Sequence, residues 1–271
     1  MARVRRILGT RAVGHTGTLD PFATGLLVVL VGRATRLARY VESEAKTYLA
    51  TARLGVSTTT DDATGEPLAP IPGADRIPSL SDVRNVLAAG TGARGQRPPS
   101  YSAKHVAGER AYARARRGET VELAEVPIVV HALALVRYEY PELQFRTTVS
   151  AGTYVRVLAR ELAERLGTGA HLTALRREAI GALSVEAAVA LEQLAPAALQ
   201  PPLAVLGHLP RLAVTDAAVR ALGYGQAVRE VPDAIPTDRP VAAVADGARL
   251  VAVGRIQGGA FQPEVVLEAA S

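Results

Sequence analysis

The string Gly14-His15-Thr16-Gly17-Thr18-Leu19-Asp20-Pro21-Phe22-Ala23-Thr24-Gly25 sets one carboxylate among three glycines, just ahead of the apolar run Leu26 to Val31. Glycine lets the backbone take positive φ or approach a ligand closely, and Asp20-Pro21 favours a turn that would present the carboxylate from a rigid edge. A carboxylate presented in that way can act as a nucleophile or as a general acid or base. Asp-Pro also starts turns that have no other duty, so local physics leaves both uses open. Thiol and metal chemistry are poorly supplied. The chain has no cysteine, and its five histidines, His15, His105, His131, His171 and His208, include no i, i+4 pair of the kind that grips zinc on a helix. A metalloenzyme is not expected.

The elements that would position such groups can be read from periodicity. With 271 residues, 48% of them hydrophobic and 21% charged, the chain can bury a real core and has room for one large domain and one small one. Gly25 to Val31 reads as a buried strand and Ala34 to Glu42 as a short helix. Tyr48, Ala50, Ala52 and Leu54 alternate with Leu49, Thr51 and Arg53, which predicts a strand with Tyr48 on its apolar face, closed by the polar stretch Ser57 to Glu66. Ser81 can cap a helix that runs to Ala89 and stops at Gly90. Residues 91–108 read as an exposed, mobile insertion leading into a basic helix, 109–117. Val126 to Tyr140 and Leu143 to Val149 look like paired strands around Pro141-Glu142. Thr153 to Leu166 has helical spacing and ends at Gly167, and on that helix Glu161 and Glu164 offer Arg156 an ordinary surface ion pair. From 209 onward, short strands at 241–245, 250–256 and 263–267 surround one helix near 216–222. The expected domains are therefore 1–208 and a small β-rich 209–271.

Charge points to a polyanion. Basic residues number 31 against 26 acids, and all but Lys46 and Lys104 are arginines, whose planar fork suits phosphate. Residues 1–40 hold seven arginines against Asp20 alone, and residues 92–117 hold six arginines and Lys104 against Glu109. Two such blocks on an otherwise acidic chain form an electrostatic footprint for nucleic acid, or else two solvated faces. Residues 209–271 carry six arginines against seven acids and make a poor RNA surface. The longest apolar run has six residues, far below the roughly 18 that a membrane span requires. Gly9, Thr10 and Arg11 interrupt the basic start before a secretory core can form, so a cytoplasmic protein is expected.

Residues 14–25 match throughout the signature G-H-x-G-x-L-D-P-x-A-x-G, and further strings follow in register. These are Lys46-Thr47-Tyr48, Arg53-Leu54-Gly55, Pro98-Pro99 with Tyr101-Ser102-Ala103-Lys104, then Gly108, Arg110-Ala111-Tyr112, Gly152-Thr153-Tyr154 with Arg156, and Gly169-Ala170-His171-Leu172 with Leu175-Arg176-Arg177. Over about residues 3–195 the chain resembles the bacterial TruB family of tRNA pseudouridine synthases.

The resemblance implies an α+β pseudouridine-synthase fold, with a mixed, mostly antiparallel sheet and flanking helices, followed by a small C-terminal PUA-like β domain. It makes Asp20 the catalytic aspartate, Tyr48 the ring that stacks on the target uracil, and Arg156 the partner that holds the Asp20 carboxylate. His15 would lie near the flipped nucleotide, and Tyr154 and Leu175 would line the pocket. Asp62 would support Arg156 or simply cap its own turn. The insertion, about 91–118, would grip the T-arm of tRNA, with Tyr101, Lys104, Arg110 and Tyr112 on the substrate and Arg94, Arg97, Arg114, Arg116 and Arg117 on phosphates. The reaction implied is isomerisation of uridine-55. The C1′–N1 bond breaks, the uracil turns and C5 bonds to C1′, with no net oxidation and no need of a cofactor, metal or ATP. Stacking on Tyr48, worth roughly 1–3 kcal/mol, would help offset the few kcal/mol of base flipping. A monomer acting on tRNA without a guide RNA is expected. A non-catalytic tRNA-binding or tRNA-folding module is the alternative, and a guide-RNA-dependent relative is a third reading. Family members usually open with a Lys-Pro-x-Gly-x-Thr-Ser segment ahead of what is Arg3 here. The chain as given is therefore expected to lack a strand and a loop near the active site.

Overall fold

Alternation at Tyr48, Ala50, Ala52 and Leu54 buries one face of the strand Lys46–Leu54, and that strand is central to a sheet. In the computed structural model, which describes residues 1–69, 77–99, 105–106, 109–110 and 123–268, the sheet runs Ala170–Ile180, Lys46–Leu54, Glu142–Val149, Val126–Glu139 and Gly92–Gln96. Each neighbouring pair in that order is antiparallel. The two residues Thr24–Gly25 add a short parallel pairing on Ala170–Ile180, opposite Arg176 and Arg177. Helices Leu80–Ala88 and Val155–Arg165 cover one face, where Val83, Leu87, Leu158, Leu162 and Ala163 pack on Ala50, Ala52, Ile128, Phe145 and Leu172. The opposite face is polar, with Thr47 bonded to Thr148 at 3.0 Å and Arg146 forked onto Glu178. These elements, with the loop Leu19–Leu26, form one compact unit spanning Leu19–Leu26 and Glu44–Ile180.

Several local expectations need correction. Ser79, not Ser81, caps the helix Leu80–Ala88, because Asp82 sits three residues beyond Ser79 and closes a reciprocal capping box with it. Gly92–Gln96 is an edge strand rather than the start of a mobile insertion. Glu109–Arg110 pairs with His105–Val106 as a short antiparallel hairpin, so the basic helix does not begin at 109, and residues 111–117 lie outside the described residues. The single strand expected from Gly25 to Val31 is split into Thr24–Gly25 and Val28–Val31.

The second compact unit comprises Met1–Thr18, Leu27–Ser43 and Gly181–Ser271. Its four-stranded sheet runs Arg211–Ala213, Val241–Ala245, Arg249–Gln257 and Ala260–Val266, parallel in the first pair and antiparallel in the others. The helix Asp216–Gly223, capped by Thr215, packs Ala218 and Leu222 against Val241, Val251 and Phe261. The change of texture at 209 falls inside this unit. Val13–Thr16 and Val28–Val31 pair as an antiparallel ribbon. The first basic block is partly consumed here: Arg33 and Arg36 donate to the carbonyls of Leu267 and Val266 at 2.9 and 2.7 Å, and Arg39 pairs with Glu264 at 2.7 Å. Those arginines fasten residues 33–39 to the end of the strand Ala260–Val266 and to Leu267 just past it. Among the described residues no helix is long and apolar enough to cross a membrane.

Candidate active site

The loop carrying Asp20 is anchored at both ends. The Ala23 N–H donates to the Asp20 carbonyl at 2.9 Å, closing the turn with Pro21 at its second position, while Leu19, Phe22 and Ala23 pack against the core. The main chain makes the turn, and the Asp20 side chain is left for other work. Downstream, the Leu26 N–H donates to the Arg177 carbonyl at 2.8 Å. Gly25 is required at the crossing: its φ is +99°, and a Cβ there would lie 2.2 Å from the Arg177 carbonyl oxygen. Gly25→Ala is expected to cost about 1–3 kcal/mol through backbone strain alone, measured by urea unfolding. Wild-type stability in that variant would mean that the loop is not clamped to the strand.

Arg156 is the second residue of the helix Val155–Arg165, and it faces inward rather than toward Glu161 or Glu164. Its Nε and Nη2 donate to the two carboxylate oxygens of Asp20 at 2.8 and 3.0 Å, while Nη1 donates to the Thr60 carbonyl at 2.7 Å and lies 3.3 Å from Asp62. The Arg156 side chain is 4% exposed and that of Asp20 31%, so the arginine is the buried anchor and the carboxylate the reachable end. Such a two-pronged grip fixes orientation as well as charge.

Asp62 serves both of the uses expected of it. Its Oδ1 accepts from Thr60 Oγ1 and from the N–H and Oγ1 of Thr64, which caps the turn, and its Oδ2 faces Arg156. The Thr-Asp loop is itself stitched to the sheet, since Leu172 N–H donates to the Asp61 carbonyl and Ala63 N–H to the Leu172 carbonyl, both at 2.9 Å. Asp61, at φ 59°, holds Arg160 at 3.2 Å, and burial pushes its carboxyl above the ordinary range.

Tyr48 stands directly across the strand pair from Arg177. Burial raises its hydroxyl above the ordinary tyrosine value of 10.0, a hydrogen bond and the charge of Arg177 pull it back, and the Asp20 carboxylate raises it further. The hydroxyl therefore stays a neutral phenol at neutral pH and lies within electrostatic reach of Asp20. Arg177 is 1% exposed and also donates from Nε to the Leu26 carbonyl at 2.8 Å. One guanidinium thus links the Asp20 loop to Tyr48. The sequence shows Arg177 only as part of a motif; the signal of its role is its position on the buried face of Ala170–Ile180, where an arginine needs partners.

Leu175 is buried in the same unit, in the core cluster that includes Tyr48, and Tyr154 sits half-buried at the start of the Arg156 helix. His15 belongs to the other unit, on the strand Val13–Thr16. Tyr101, Lys104 and Tyr112 lie outside the described residues, as do Arg114, Arg116 and Arg117; Arg110 is described only as backbone in its short strand. Arg94, expected on phosphate, is half-buried and faces Glu161 at 3.4 Å. Its guanidinium also donates to the Gly90 carbonyl at 3.4 Å.

A single reachable carboxylate, oriented by a buried guanidinium beside a protonated phenol, can attack an electrophilic carbon or move one proton. Comparison with known proteins supplies the family. A family model described as TruB family pseudouridylate synthase (N terminal domain) matches residues 5–155. The chain is 47% identical to the tRNA pseudouridine synthase B of Thermobifida fusca (strain YX), covering 98% of this chain and 92% of that one. It is 42% identical to the protein of the same name from Arthrobacter sp. (strain FB24), covering 98% and 90%. Among solved structures, the chain resembles one titled "Crystal Structure of a Cbf5-Nop10-Gar1 Complex", with a TM-score of 0.76, 25% identity, and 99% of this chain and 80% of that one covered. A second likeness, to the archaeal box H/ACA sRNP Nop10-Cbf5 complex, has a TM-score of 0.70 at 23% identity, with 100% and 80% covered.

Proposed function

The chain belongs to the TruB family of pseudouridylate synthases, and on that premise we propose that it isomerises uridine-55 in the T-loop of tRNA with Asp20 as the reacting carboxylate. The observation that carries this reading is the Asp20–Arg156 pair: one reachable carboxylate gripped at 2.8 and 3.0 Å by a buried arginine. Breaking C1′–N1 and joining C1′ to C5 asks for one group to handle the sugar or ring carbon and for removal of the C5 proton. Asp20 serves the first, and Tyr48, a neutral phenol, serves the second as a relay: its oxygen takes the C5 proton as its own proton passes to the Asp20 carboxylate or to water. Arg156 holds Asp20 in line, and Arg177 holds the Tyr48 hydroxyl. Tyr154 and Leu175 would shape the pocket, and His15 would lie beside the flipped nucleotide.

The substrate assignment leans on the curated relatives, at 42–47% identity and named for tRNA, over the solved Cbf5 complexes, at 23–25%. A monomer acting on tRNA in the cytoplasm is the state that goes with this reading. We assign residues 1–208 the chemistry and 209–271 an accessory part, because the latter is net acidic. The test is to map pseudouridine in a T-arm stem-loop after incubation. Product should appear at the T-loop uridine and vanish when that uridine is replaced by cytidine. Product at other uridines would sink the assignment.

The grip on RNA has its own test. Replacing Arg114, Arg116 and Arg117 by Ala is expected to weaken tRNA binding and flatten its salt dependence, since each lost phosphate contact lowers the slope by about 0.7–0.9. An unchanged slope in a filter-binding titration would put those arginines in bulk water.

A further inference from the structure

Gln96 is 1% exposed and makes two hydrogen bonds to a single residue 58 positions away. Its Oε1 accepts from the Tyr154 N–H at 2.8 Å, and its Nε2 donates to the Tyr154 carbonyl at 3.1 Å. Tyr154 is the N-cap of the helix Val155–Arg165, at φ −97° and ψ 107°, and its own side chain makes no capping bond. In an ordinary capping box the third helical residue reaches back to the N-cap N–H. Here that residue is the buried Val157, which has nothing to offer. The primary amide of Gln96, projected from the last position of the edge strand Gly92–Gln96, supplies that bond and adds a second. Two residues on from Tyr154 comes Arg156, whose three nitrogens are committed to Asp20, Thr60 and Asp62 within 2.7–3.3 Å. A guanidinium with its head fixed in this way tolerates little movement at its root.

We infer that Gln96 is a positioning residue: by bracketing both backbone polar groups of Tyr154, it sets the start of the Arg156 helix and, through it, the aim of the Asp20 carboxylate. The inference rests on the function proposed above. A primary amide is the side chain that fits, because it donates and accepts at once, whereas a carboxylate would face the Tyr154 carbonyl oxygen with a second acceptor. A protonated carboxylic acid would restore both bonds.

That difference supplies the test. Steady-state kinetics on a T-arm stem-loop are measured for wild type, Gln96→Met and Gln96→Glu from pH 5.5 to 8.5, with thermal unfolding of each. Gln96→Met fills the volume without either bond. Its kcat is expected to fall about 10–100-fold, the scale of a small misplacement of reacting groups, with KM within about threefold. Gln96→Glu should be equally slow at pH 8.5 and recover relative to wild type as pH falls and the buried glutamate takes up its proton, while Gln96→Met stays flat. Wild-type kcat in Gln96→Met, at a temperature where it is folded, would overturn the inference and assign the bracket to stability alone. Loss in both variants without recovery at low pH would overturn it as well, leaving packing as the cause. An inactive wild type would instead count against the proposed function.

Discussion

Asp20→Asn is expected to abolish turnover while tRNA binding stays within several-fold of wild type. The amide keeps the shape of the carboxylate but not its charge or nucleophilicity, and removing a group that acts in the transition state commonly costs ~10² or more. The fold should survive, because Arg156 keeps the Thr60 carbonyl and Asp62 as partners and Asp20 is the exposed end of the pair. Single-turnover assays with saturating enzyme separate the two effects. Residual turnover above roughly one-hundredth of wild type would show that another group does the chemistry.

Tyr48 is expected to contribute a proton path as well as a surface. Tyr48→Phe keeps the ring and removes the hydroxyl that Arg177 bonds; RNA binding should be normal and turnover at least ~10²-fold slower, the lower end for lost general acid–base catalysis. Tyr48→Leu removes the ring too and should lose up to a further 1–3 kcal/mol or so of base stacking. The sign of the pH dependence follows from the raised hydroxyl. Because the phenol holds its proton above the ordinary value of 10.0, the wild-type rate should show no alkaline decline from Tyr48 below about pH 10. Near-normal turnover by Tyr48→Phe would remove the proton role, and equal losses in Phe and Leu would remove stacking as a separable contribution.

Much of this site was legible because short-range patterns encode it. The strand Lys46–Leu54 has one wet and one dry face, so period-2 alternation put Tyr48 on the inner side. The helix Val155–Arg165 announced itself by apolar spacing and by Gly167 just past its end, at φ 74°. What stayed hidden depends on distant partners. Arg177 is an arginine at a core position, which a hydropathy pattern reads as wet, and its partners Leu26 and Tyr48 lie more than a hundred residues away. Gly92–Gln96 is an edge strand of two glycines, Ala93, Arg94 and Gln96, with no alternation to detect. Arg33, Arg36 and Arg39 looked like an RNA footprint, but they meet residues 225–234 positions further on, a pairing that no local reading can supply. The Ser79 cap was within reach, since Asp82 at the third helical position distinguishes it from Ser81.

The central claim is that this chain breaks and remakes a uridine's glycosidic bond, and that Asp20 is required for it. The reaction must expel the hydrogen on uracil C5, so tritium released to water from tRNA labelled at that carbon reads the claim directly. The wild-type chain should release one tritium for each pseudouridine formed, and Asp20→Asn, at concentrations that saturate the same tRNA, should release none above background. Binding of labelled tRNA by the wild-type chain with no release would contradict the account and leave a module that holds tRNA without changing it.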